Sequence, residues 1–387
     1  MISTIETFLK RESSAGILLI FATIIALLLQ NSALSELYSN FLHTHVEIRF
    51  GDLQIAKPLL LWVNDGLMAV FFFLIGLEVK REVVEGHLSS ISQATLPGIA
   101  AVGGMLIPAL VFISINQGES FAMKGWAIPT ATDIAFALGV LSLLGNRCPT
   151  SLKAFLLALA IIDDLGAIVI IALFYTVELS TTSIVIAAIA ITSLFTMNRM
   201  RVASKAAYIL VGVVLWVSVL KSGVHATLAG VVLAFMIPLN CKSRDGISFS
   251  MSKEMEHGLH YWVAFMILPL FAFVNAGVDL RGISLDEMLN PVPLGIMLGL
   301  FIGKQLGVFG FSWLAIKLGV ASLPKDSNWR QLYGVSILTG IGFTMSLFVD
   351  SLAYSDTQIY HYSDKLAILL ASFLSGILGY YVLKSAK

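Results

Sequence analysis

The chain is predicted to be an all-α polytopic membrane protein, with about twelve transmembrane helices and a small external β-hairpin. Three observations predict this. Of its 387 residues, 57% are hydrophobic and only 12% are charged, where a soluble domain carries about 25% charged residues. The apolar residues gather into long runs separated by short polar connections. One of those runs, Ala158 to Ala172, holds two adjacent carboxylates, Asp163 and Asp164. A charge at the centre of a membrane helix costs roughly 2.5–3.5 kcal/mol on insertion scales, and two neighbours also repel. Such a pair is not kept for stability, and the remaining helices are expected to hold and hydrate it.

A span needs about 20 mostly apolar residues. The runs fall near 14–30, 59–82, 95–115, 122–144, 151–175, 182–198, 204–220, 223–239, 258–275, 292–316, 331–352 and 364–383. Short connections make this a single membrane domain, 1–387, with no soluble appendage. The Met1–Arg11 stretch is mildly amphipathic, and no small-residue cleavage site follows the first apolar run, which therefore reads as a retained span. Seventeen basic residues fall on one set of loops and six on the other, with Lys304 inside a span completing the 24. The richer set should be cytoplasmic, with both termini inside. The formal net charge is zero, which gives no reason to expect a nucleic-acid partner. Cys148 and Cys241 form no CxxC pattern and imply neither a disulfide framework nor a metal site.

Residues 46–56 alternate apolar and polar around a Gly51-Asp52 turn. This reads either as an external β-hairpin, whose edge can pair with a second copy of the chain, or as a loop that happens to alternate.

Two spans look interrupted. In Pro129-Thr130-Ala131-Thr132-Asp133 the proline removes a helix donor, and the residues after it can bond freed backbone groups. The alternative is a simple kink with Asp133 reaching an interface, but Asp133 stands about eleven residues into its span, near mid-membrane at 1.5 Å per residue. In Ser336-Ile337-Leu338-Thr339-Gly340-Ile341-Gly342-Phe343-Thr344-Met345-Ser346 two glycines and three hydroxyl residues within eight positions favour unwinding, the alternative being a small-residue packing face. Spans three to five and ten to twelve have opposite topology, and each triplet carries its interrupted helix in the middle. Residues 95–175 and 292–383 are thus predicted to form inverted repeats. Paired interrupted helices point to a transporter's binding site.

Lys304 lies inside the tenth span. A lysine there needs carboxylate or carbonyl partners, and Asp163 or Asp164 is the expected one. The pair is either structural or one that breaks when a cation takes the carboxylate. At the cytoplasmic end of span two, Glu78, Glu82 and Glu85 lie one turn apart beside Arg81. Span nine opens with Lys253, Glu254, Glu256, His257 and His260. The two groups read as solvated helix ends, or as a cluster titrating near neutral pH. His225 and Asp65, near external ends, are weaker candidates, and His43, His45, His87 and His361 are loop residues.

With these residues assembled, the chain resembles the NhaA family of sodium/proton antiporters over essentially its whole length. The matching stretches are Phe72–Glu82, Pro129–Phe136, Ala160–Gly166, Leu268–Phe273 and Gly340–Ser346. The rule about paired interrupted helices was itself drawn in part from this family. The resemblance implies twelve helices, discontinuous helices 4 and 11 crossing at the midplane, and a homodimer joined by the hairpin. It implies that Asp163 and Asp164 bind the cation and protons, assisted by Thr132 and Asp133. Asp133 would offset the positive half-helix ends and Lys304 the negative ones. Glu78, Glu82, Glu256 and His257 would belong to a pH-responsive cytoplasmic region, and His225 to pH behaviour nearer the outside. Glu254 departs from the family pattern, being acidic where a base is expected, and Asp350 is an extra acid with no place in it.

The function expected is therefore exchange of internal Na+ or Li+ for external H+ across a bacterial inner membrane. The ions are substrates and no cofactor is expected. Sodium- or proton-coupled symport of an organic solute is the alternative, although the spans carry few of the polar residues such a pocket needs. An intramembrane aspartyl protease is disfavoured, because its two acids sit on separate helices and its Gly-x-Gly-Asp pattern is absent. The expected division of labour puts Asp164 on the cytoplasmic funnel as primary ligand and Asp163 on Lys304 as a gate.

Overall fold

The computed structural model describes residues 13–51, 53–175, 180–242, 248–354, 359–360 and 362–386. The Met1–Arg11 stretch, Asp52, Arg244, His361 and Lys387 lie outside them.

The chain is mostly helical, and a helical stretch coincides with each expected span. Among the described residues, eight helices are long and apolar enough to cross a membrane, or up to ten if each of two bent pairs counts as one span. The difference from twelve lies in short helices. Lys205–Leu220 and Thr227–Met236 are apolar but have only 16 and 10 residues, and a full crossing takes about 20.

The described residues gather into two compact units. The first comprises 1–36, 87–167 and 275–387, so both expected repeat stretches fall almost wholly within it. Its frame is the contact between Ile91–Ile115 and Lys304–Lys317. Small residues let these backbones touch: a Cβ on Gly307 would stand 2.1 Å from the Gly103 carbonyl oxygen, and one on Gly103 2.3 Å from the Gly307 carbonyl oxygen. Close approach of this kind supplies the packing that lipid cannot. Pro291–Lys317 is not regular throughout, because a π-helical turn, Gly299–Gly303, immediately precedes Lys304.

The second unit comprises 37–86 and 168–274. Here Met68–Val84 packs on Thr227–Met236, with a Cβ on Gly230 placed 2.1 Å from the Ala69 carbonyl oxygen. The alternating segment is a hairpin, not a loop: His45–Phe50 (β1) pairs antiparallel with Leu53–Pro58 (β2), Ile48 opposite Ile55. Gly51 takes φ +61° at the turn, where a residue without Cβ is unstrained. His45, expected in a loop, starts β1, because the alternation extends one residue further back than its apolar positions suggest.

Both cysteines are free and buried. Burial pushes the Cys148 thiol up to about 11, and the thiolate is the reactive species. Cys148 should therefore resist maleimide at neutral pH in the folded protein, react faster by up to about tenfold per unit as pH rises toward that value, and label fully after denaturation. Mass spectrometry of labelled protein measures this, and rapid labelling at pH 7 would contradict the burial.

Candidate functional site

Pro129 ends a 3₁₀ stretch, Ala122–Thr130, after which Ala131 and Asp133 are extended and a new α-helix, Ile134–Leu143, begins. The second interruption separates Trp329–Leu338 from Phe343–Ala353, with a bend of 41°. The packing-face alternative for Gly340 and Gly342 thus gives way to a break, although both glycines also pack tightly. A Cβ on Gly340 would meet the Leu300 carbonyl oxygen at 2.6 Å, and one on Gly342 the Leu300 side chain at 2.7 Å.

The two breaks meet. The Asp133 amide donates to the Ile341 carbonyl at 2.7 Å, and the Thr132 hydroxyl donates to the Thr339 carbonyl at 3.0 Å. The Asp133 carboxylate then accepts from both new helix starts. Its Oδ1 takes the Phe136 amide at 2.9 Å, capping Ile134–Leu143. Its Oδ2 takes the Thr344 amide at 3.0 Å and the Thr344 hydroxyl. Orphan amides at a helix start carry partial positive charge, so one carboxylate offsets two half-helix ends. Thr132 and Asp133 are both buried. Thr130, also buried, bonds back to the Ala127 carbonyl at 2.8 Å.

Asp163 and Asp164 lie within the unbroken helix Thr150–Phe174, each 2% exposed. Lys304, fully buried, places Nζ 2.7 Å from Asp163 Oδ2. Asp163 is its hydrogen-bond partner among the described residues, and Asp164 acts on it electrostatically. The other Asp163 oxygen has no hydrogen-bond partner among the described residues. The π-helical turn ties this pair to the breaks. A Cβ on Gly299 would lie 2.6 Å from the Pro129 ring, and Leu300 touches both break glycines. Lys304 thus follows directly on a turn seated against both interruptions.

The predicted charge cluster assembles in the second unit. Arg81 bridges Glu82 at 2.5 Å and Glu256 at 2.9 Å, and Lys253 reaches Glu85 at 2.5 Å. Of the two histidines it is His260, 3.6 Å from Glu78, that approaches a carboxylate. His257 is exposed and makes no ion pair among the described residues. Residues three apart stand one turn from each other on nearly the same helix face, and it is the later ring that lies within reach of Glu78. Glu254 is explained by Lys205, 2.6 Å away. His225 is not in this cluster; it bonds the Tyr175 backbone near Asp65, which pairs with Lys57 at 2.6 Å.

Sequence reasoning gave Thr344 no role of its own, and its contact with Asp133 depends on a partner 211 positions away. It also missed the π turn before Lys304, for which the flanking pair Gly299 and Gly303 was the available signal. Chemically, the arrangement offers two buried carboxylates, one cationic side chain to compensate them, and hydroxyl and backbone oxygens at unwound helix ends. Those groups suit a small hard cation or a proton.

Residues 6–383 match the family described as Na+/H+ antiporter 1. The chain is 77% identical to the Na(+)/H(+) antiporter NhaA of Sulfurovum sp. (strain NBC37-1), covering 99% of this chain and 98% of that relative. It is 68% identical to the Na(+)/H(+) antiporter NhaA of a Nitratiruptor species, over 99% of this chain and 98% of that one. Against the protein of the same name from Yersinia pestis bv. Antiqua (strain Angola), identity is 57% over 99% and 97%. With a match running nearly from end to end and identities this high, the resemblance read from the motifs is borne out, and the chain belongs to the Na+/H+ antiporter 1 family.

Proposed function

We propose that this chain is a secondary antiporter that exchanges internal Na+ or Li+ for external H+ across the bacterial inner membrane. The buried Lys304–Asp163 pair beside Asp164 carries the reading. A lysine and two acids leave one negative charge over, which a proton or a sodium ion can neutralise but not both together. Sodium is a hard ion that prefers oxygen ligands, and Asp164, Thr132 and the carbonyls freed at the breaks are the candidates to replace its water. Asp164 is the primary ligand. Asp163 releases Lys304 when the cation arrives and takes it back when the cation leaves. If only loaded forms change sides, exchange is obligatory, and two carboxylates can return more than one proton per cation, making transport electrogenic.

In this reading twelve helices cross the membrane, residues 95–175 and 292–383 are inverted repeats, and both termini are cytoplasmic. The hairpin is external and joins a homodimer. The cluster of Glu78, Arg81, Glu82, Glu85, Lys253 and Glu256, with His257 and His260 beside it, regulates activity with pH, and His225 acts nearer the outside. Na+, Li+ and H+ are substrates and the protein has no cofactor. Solute symport finds no support, since the relatives named above are all antiporters.

Everted membrane vesicles from cells expressing the chain test the reading. Addition of sodium or lithium should release protons from an acidified lumen, more strongly as pH rises, and potassium should not. Equal responses to potassium, or accumulation of an organic solute driven by sodium, would overturn it.

A further inference from the structure

Asp350 has no part in the site described above, yet it is fully buried. Neither of its carboxylate oxygens has a hydrogen-bond partner among the described residues. A bare carboxylate in such a place is too costly to keep, and such a group neutralises instead. The helix packed against it, Ser363–Ser385, opens with Asp364 and Lys365, buried at 0% and 6% exposure. These are the two groups that act electrostatically on Asp350. Asp364 Oδ1 accepts the Lys365 amide at 2.8 Å, whereas Oδ2 has no hydrogen-bond partner among the described residues. The Lys365 ammonium stands 6.0 Å from the Tyr362 ring centroid.

Among the described residues, other titratable groups near this cluster have contacts of their own. The Tyr354 hydroxyl donates to the Ala122 carbonyl at 2.7 Å. Tyr360 stacks edge-on against Tyr354 and feels Glu119 as well as both aspartates. Lys124, on the 3₁₀ stretch against Phe343–Ala353, lies over the Phe121 ring at 5.1 Å.

The cluster therefore holds two carboxyls and one lysine, the same count as Asp163, Asp164 and Lys304. Its surroundings differ. No hydroxyl or amide among the described residues bonds the Asp350 carboxylate, and the Lys365 ammonium that acts on it opposes a second cation. A proton needs only one lone pair.

We propose that Asp350 and Asp364 hold one proton between them, forming a second proton-binding site separate from the Asp163–Asp164 pair and unresponsive to sodium. Lys365 balances the carboxyl that remains ionised. The site is placed to communicate with the breaks, because Asp350 follows Thr344, the partner of Asp133, by six residues, roughly 9 Å along the helix. Between them the Ser346 hydroxyl, also buried, donates to the Ile128 carbonyl at 2.8 Å. This inference does not depend on the identity of the transported ion.

Infrared difference spectroscopy of the purified full-length protein at neutral pH tests it. The spectrum of the wild type minus Asp350→Asn should contain a protonated-carboxyl carbonyl band, confirmed by its shift in heavy water and unchanged by added sodium. Asp364→Asn should remove the same band, since Asp350 is then left to ionise beside Lys365. Lys365→Met should roughly double it, because neither carboxyl keeps a counter-charge. Absence of the band, a band that responds to sodium, or one indifferent to Lys365→Met would each overturn the proposal. Any sodium-sensitive carboxyl band reports on Asp163 and Asp164 independently, so failure of one site is distinguishable from failure of the other.

Discussion

Asp163→Asn and Asp164→Asn should each reduce sodium-driven proton release in everted vesicles to the background of vesicles lacking the protein, but they should differ in stability. Asp163 holds the buried Lys304 ammonium at 2.7 Å. Removing one partner of a buried ion pair leaves the other uncompensated, at about 3–5 kcal/mol. Asp163→Asn should therefore melt at clearly lower temperature than the wild type. Asp164→Asn leaves the ion pair standing and should melt close to the wild type while being equally inactive. Near-normal transport in either variant would remove the paired carboxylates from the mechanism. Equal melting temperatures would show that the ion pair does not hold the fold around it.

The second large effect is expected from Gly307→Val. Its first added carbon would meet the Gly103 carbonyl oxygen at 2.1 Å, and backbone cannot yield as a flexible side chain does. Overpacking of this kind costs about 1–3 kcal/mol, occasionally more. Gly307 lies one turn after Lys304 on the same helix, so separating the helices also moves the ammonium relative to Asp163. Thermal stability and sodium-driven proton release should both fall. Gly310→Val is the control, because nothing stands within 4 Å of a Cβ there. If both variants melt and transport alike, the Gly103–Gly307 contact does not set the position of Lys304.

Much of this was legible in the chain because membrane physics narrows the choices. Hydrocarbon forces backbone polar groups to be satisfied within helices, so apolar runs announce the elements, and a charge inside one announces function. Asp163, Asp164, Asp133 and Lys304 were identifiable on that ground alone. Pro129 marked its break because it lacks an amide hydrogen. Gly340 and Gly342 were ambiguous, because small residues serve both unwinding and close packing, and here they do both. The charge cluster was readable from i, i+4 spacing within each helix, but the choice of His260 over His257 at Glu78 was not, since it depends on how one helix is rotated against another. Asp350 stood out only as an acid without a place in the pattern. Its two carboxylate oxygens, without a hydrogen-bond partner among the described residues, and its neighbour Asp364 emerge when two helices are packed together.

The sequence by itself determined the class of protein, the helical stretches, the residues that carry charge into them and the family. These follow from local composition, which the cost of burying polar groups in lipid makes decisive. Only the tertiary structure decided which carboxylate takes Lys304, that Asp133 caps two helix starts at once, and that a π turn links the lysine to both breaks. Those outcomes depend on contacts between segments far apart in the chain, where helix rotation and close approach at glycines select the partner.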